Sequence, residues 1–94
     1  MICVRIAYSS PDRNIDRANL LEAHKAFLRS GALTILQSGP IFDQEGVQTG
    51  AIVIADAPDI ETMKAVCAKD PFVMHGIYDR ISFSEGRVTI GQVV

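Results

Sequence analysis

The apolar residues of this chain alternate, shift to helical spacing, alternate through two further runs, and then pass through helix and strand again. That order constrains the fold more than any single motif. Residues 1–8 place Ile2, Val4 and Ile6 on one face and Cys3, Arg5 and Ala7 on the other, which predicts a first strand. Ser9, Ser10, Pro11 and Asp12 then turn the chain, and Asn14 or Asp16 is placed to cap a helix. The helix is predicted from Ile15 to Ser30, with Leu20, Phe27 and Leu28 at helical spacing and Gly31 placed to end it. Ala32 to Ser38 predict a second strand closed by Gly39-Pro40, and Val47 to Ala55 a third after the Asp43-to-Gly46 turn. The consecutive Ile52, Val53 and Ile54 call for cover on both faces of that third strand. A second helix is predicted over Ile60–Lys69, ended at Asp70-Pro71 because a proline disfavours helical geometry in the residue before it. One helical turn at 72–75, a fourth strand from Gly76 to Ser84, and a short fifth strand or tail from Val88 to Val94 complete the order.

The succession β-α-β-β-α-β plus a short C-terminal strand matches the ferredoxin-like split βαβ pattern, an α+β fold with an antiparallel sheet. Repeats, linkers and low-complexity segments are absent, so residues 1–94 read as a single domain. A chain this short buries only somewhat more than about 60% of its unfolded surface, yet 48% of its residues are hydrophobic. Both helices of such a fold cover one face of the sheet, leaving alternate strand residues bare on the other. A face-to-face homodimer, or a higher oligomer, is therefore expected.

The net charge of −2 and the lack of any Lys/Arg run argue against nucleic acid as a partner. No apolar run approaches the roughly 20 residues that span a bilayer, and MICVRIAYSS lacks the flanks of a secretory signal. No membrane partner is expected, and the cytoplasm is the expected compartment. Cys3 and Cys67 lack CxxC spacing and sit among apolar residues, which predicts small buried thiols rather than a disulfide or a zinc site.

His24 interrupts the apolar stripe of the first helix, four residues after Leu20 and three before Phe27. A buried imidazole needs a hydrogen-bond partner. A backbone carbonyl would make it structural, whereas a carboxylate would fix its tautomer for acid–base work. Asp70, at the chain reversal after the second helix, is the best carboxylate candidate, although an Asp before Pro is also a common turn residue. His75 reads as a loop histidine that could supply a second titratable group. His24, Asp70 and His75 lack metal-ligand spacing, and no nucleophile elbow or phosphate-cradling glycine motif occurs.

Taken together, Tyr8, His24, Gly39-Pro40, Asp70-Pro71-Phe72-Val73 and Gly76-Ile77-Tyr78 resemble the pattern of the YciI-like (YCII-related) proteins over about residues 2–84. The resemblance implies a dimeric α+β barrel, similar in fold to muconolactone isomerases and cofactor-free monooxygenases. It also implies a His and Asp pair at an active site, at His24 and Asp70 here, working without a cofactor. One branch of the family dehydrochlorinates a chlorinated hydroxyquinol. His75 lies outside the family pattern, and the Asp43–Thr49 loop is shorter than in many relatives. The leading expectation is a lyase or isomerase acting on a small cyclic or aromatic metabolite, with Tyr8, Ser38 and Phe72 lining its pocket. A noncatalytic binding or accessory module using the same pocket is the alternative, with a cofactor-free oxygenase third.

Overall fold

The computed structural model describes residues 1–91. Strand β1 (Ile2–Tyr8) leads through a 3-10 turn (Pro11–Arg13) into helix α1 (Asn14–Leu28). Strands β2 (Thr34–Phe42) and β3 (Gln48–Asp56) follow, then α2 (Ile60–Cys67), the short α3 (Pro71–Met74) and β4 (Arg80–Gly86). The four strands form one antiparallel sheet in the order β2-β3-β1-β4. This is the split βαβ arrangement, with β1 and β3 central and β2 and β4 at the edges.

Edge position explains the first departure from expectation. β2 does not stop at Gly39-Pro40 but continues to Phe42, with Pro40 opposite Ala51. Proline has no N–H to donate, and an edge strand does not need it on its open side. A register shift between Ile35 and Gln37 bends the same strand. β4 begins at Arg80 rather than Gly76, because Gly76, at φ +66°, belongs to the turn that ends α3. It runs on through Glu85 to Gly86, where a turn was expected. Residues 88–91 form no strand, and the rest of the expected fifth strand lies outside the described residues.

Neither Asn14 nor Asp16 caps α1. The 3-10 turn runs directly into the helix, which places both residues inside its first turn, and the helix ends at Leu28 rather than Ser30. Asp59 caps α2, its Oδ1 accepting the Thr62 N–H at 2.7 Å.

Strand alternation divides the sheet into two unlike faces. Cys3 and Ala7 of β1 and Val53 and Ala55 of β3 are buried on the helix side, and Cys3, Val53 and Ala55 pack in one cluster with Met63 and Cys67 of α2, against which Leu28 rests. Both cysteines are unpaired there. On the other face, Val4 lies opposite Ile54 and Ile6 opposite Ile52, with no helix over them. Within one chain the expected two-sided cover of Ile52-Val53-Ile54 therefore exists for Val53 alone. No helix among the described residues is long and apolar enough to cross a membrane.

Gly50 has a steric requirement. A Cβ built there would lie 1.8 Å from the Ala7 carbonyl oxygen, so β1 and β3 approach too closely for any side chain. Gly50→Ala should shift one strand and lower stability by about 1–3 kcal/mol. A denaturant midpoint unchanged from wild type would show that the strands separate at no cost.

Candidate active site

α1 packs on α3, and this contact brings the two sequence candidates together. His24 and Asp70, 46 residues apart, meet through His24 Nδ1 and Asp70 Oδ1 at 2.7 Å. Asp70 is fully buried and His24 is 7% exposed. The carboxylate is held from several sides. Its Oδ2 accepts Arg5 Nη1 at 2.9 Å, and its Oδ1 also accepts the Phe72 N–H at 3.0 Å as the cap of α3. The turn reading and the pair reading of Asp70 thus both hold: one carboxylate caps a helix and orients an imidazole.

Burial pushes the Asp70 carboxyl upward, but the hydrogen bond and charge of His24, the Arg5 guanidinium and the Phe72 N–H outweigh it. Its pKa falls below the ordinary carboxylate value. Ionised at neutral pH, Asp70 can only accept, so Nδ1–H of His24 donates and Nε2 is left for a ligand. Phe72 fixes the ring plane, stacking on the imidazole with centroids 4.0 Å apart and planes 5° from parallel. Tyr78 packs edge-on against Phe72 at 5.8 Å.

The strand pattern had marked Arg5 as a charge on the Cys3–Ala7 face without revealing its role. It is fully buried, and its guanidinium lies 5.4 Å from the Tyr78 ring centroid. Burial carries the Tyr78 hydroxyl up to about 12, against the opposing charge of Arg5. Burial also raises the Cys67 thiol, which Arg5 partly offsets. Beyond the bond to Asp70, Arg5 Nε and Nη2 and the Tyr78 hydroxyl have no hydrogen-bond partner among the described residues.

His24 opens onto a cavity of about 740 Å³ between α1 and the β2–β3 half of the sheet. That volume suits a small ring compound. Leu21, Leu28, Ile35 and Val53 supply apolar wall, and Ser38, Gln48 and Arg17 supply polar groups. Of the residues expected to line a pocket, Phe72 and Ser38 border this cavity. The structure separates Tyr8 from them. Alternating with buried Ala7, Tyr8 faces the helix-free side, where Arg80 Cζ lies 4.6 Å from its ring centroid. Within one chain it does not line the cavity. His75 is exposed at the end of α3. No cluster of three or more His, Cys, Asp or Glu suited to a metal ion occurs among the described residues.

The residues most buried on α1 are Arg17 and His24, not its leucines. The apolar stripe of Leu20, Phe27 and Leu28 is only half-buried, and of the three Leu28 alone borders the cavity.

A ferredoxin-like α+β domain with a buried His–Asp pair opening on a small-molecule-sized cavity defines the class. The YCII-related domain model matches residues 1–85, and the chain belongs to that family. Among solved structures it is similar to the 5-chloro-2-hydroxyhydroquinone dehydrochlorinase of Burkholderia phenoliruptrix AC1100 in complex with 2,5-dihydroxybenzoquinone. The TM-score is 0.80 at 20% identity, over 93% of this chain and 94% of that one. Among curated proteins none matches the chain.

Proposed function

We propose that this protein is a cofactor-independent lyase or isomerase that moves a proton on a small cyclic or aromatic, oxygenated compound. The observation that carries the reading is the 2.7 Å contact between His24 Nδ1 and a carboxylate that is itself fixed by Arg5 and the Phe72 N–H. Such a pair orients one imidazole nitrogen and leaves Nε2 to work as a base. Nε2 takes a proton from a substrate hydroxyl or C–H, and the electron pair left behind forms a new π-bond. The imidazolium returns the proton to another ring atom; where that atom is the chlorine-bearing carbon it becomes tetrahedral, and loss of a second hydroxyl proton to Nε2 then forms a C=O as the C–Cl electron pair leaves with chloride. Phe72 holds the imidazole plane, and Ser38 offers a hydroxyl to ring oxygens. The similar dehydrochlorinase, which holds a dihydroxybenzoquinone, supports a substrate of hydroxylated-ring type.

The test is chloride release, or product seen by mass spectrometry, from 5-chloro-2-hydroxyhydroquinone and a panel of related hydroxylated rings. Turnover of at least one ring by wild type and loss in His24→Ala is the expected result. A ring that binds tightly and emerges unaltered across the panel would favour a noncatalytic binding module.

We further propose that two copies close the sheet faces carrying Val4, Ile6, Ile52 and Ile54, as in a dimeric α+β barrel. Contiguous apolar surface on a helix-free sheet face supports this. Wild type should sediment as a dimer at micromolar concentration and Ile6→Arg as a monomer. A monomeric wild type would contradict the assembly. Two unpaired buried thiols fit a reducing compartment, and we place the protein in the cytoplasm.

A further inference from the structure

Arg17 carries a positive charge that no acidic side chain among the described residues pairs with. It is 7% exposed, and its guanidinium donates to two neutral oxygens, Asn14 Oδ1 at 3.0 Å and Ser9 Oγ. Asp16, the nearest acid in sequence, pairs instead with Arg13 at 3.8 Å. Taking a guanidinium out of water costs free energy that neutral acceptors return only in part. Such a group is normally found facing an anion.

The cavity wall has the same bias. Besides Arg17 it carries Lys25 and Arg29, and among the described residues no aspartate or glutamate. Asp70 stands behind His24 with its oxygens engaged by Arg5, His24 and the Phe72 N–H. Lys25 has only a 3.9 Å contact with the exposed Glu22. The chain as a whole carries −2, so a cavity whose only charged lining residues among the described residues are Arg17, Lys25 and Arg29 is a local arrangement.

Spacing on the helix sets the ligand's reach. Arg17 and His24 are seven residues apart, two turns along one face of α1, about 10 Å along the axis. A six-membered ring bearing an oxyanion spans most of that interval once a hydrogen bond is allowed at each end. The walls between are apolar, with Leu21 on α1 and Val53 on the sheet.

We infer that the cavity takes a cyclic organic anion, its oxyanion held by Arg17 and its reacting atom placed at His24. This rests on the reading of the cavity as a site for small rings, and it adds the charge and orientation of the occupant. Guanidinium donors fit a carboxylate or an ionised ring hydroxyl.

The test compares three probes on the full chain by calorimetry. Gentisate carries a carboxylate, gentisamide is its neutral isostere, and chloranilate is a ring oxyanion without a carboxylate. At least one anion should bind about tenfold or more tightly than gentisamide, as expected for a charge-assisted pair in a partly dry site. The stronger of the two anions identifies the oxyanion source. In Arg17→Gln that preference should fall close to parity while gentisamide affinity holds. Should that variant fold poorly, the anion-to-amide ratio of wild type and its decline with added salt carry the test. Gentisamide binding as tightly as both anions would overturn the inference and leave the ring site standing. An undiminished anion preference in folded Arg17→Gln would overturn the assignment to Arg17. No binding by any of the three rings at millimolar concentration would overturn both the inference and the reading beneath it.

Discussion

Asp70→Ala is expected to destabilise the fold by about 3–5 kcal/mol, the range for removing one partner of a buried ion pair. The loss is large because the substitution strands Arg5, which is fully buried and has Asp70 as its counter-charge. It also removes the cap from the Phe72 N–H and the acceptor from His24. For a domain this small the melting temperature should fall by on the order of 20 °C. Asp70→Asn keeps the shape and one acceptor, so it should fall less.

The same carboxylate sets an acid limit. Its pKa is depressed in the folded state, so its contribution is complete above the ordinary carboxylate value of about 4. That contribution is lost as pH falls through the depressed folded value. Wild-type stability should hold from neutral pH to about pH 5 and decline below it. Asp70→Asn should lose this part of the decline. Parallel acid limbs in the two proteins would show that Asp70 is not the group responsible.

His24 governs activity in the way Asp70 governs stability. On any ring compound that wild type turns over, His24→Ala should lower the rate by at least about a hundredfold, the usual share of a positioned general base. The fold should survive, because Asp70 retains Arg5 and the Phe72 N–H after the imidazole is gone. A folded His24→Ala working at the wild-type rate would remove the imidazole from the mechanism.

Much of this architecture could be read from periodicity, because alternation and helical spacing report faces directly. β1, β3 and both long helices fall within a few residues of their expected positions. β2 runs past Ser38, where the sequence predicts its end at Gly39-Pro40, since a proline marks a break only where its neighbour needs an N–H, and edge position is not written in a local window. The His24–Asp70 pair could be suspected from a polar residue on an apolar stripe and an acid at a chain reversal. Arg5 was harder. It shares a face with Cys3 and Ala7, but which face of β1 meets the helices depends on the whole sheet. Had the more apolar side, with Ile2, Val4 and Ile6, been taken as the core, Arg5 would have seemed a solvent-facing charge. The pattern is reversed because the apolar face is the one left open. Arg17 escapes sequence reading because burial of a polar residue beside a cavity leaves no periodic mark.

The most direct measurement is nitrogen-15 NMR of the His24 imidazole during titration with 2,5-dihydroxybenzoquinone. Nδ1 should stay in a strong hydrogen bond to Asp70 throughout, while Nε2 shifts as the ring occupies the cavity. In Asp70→Asn the Nδ1 signature should weaken to that of a neutral hydrogen bond before any ligand is added. A ligand that shifts other cavity resonances while both His24 nitrogens remain unmoved would contradict a working His24–Asp70 pair.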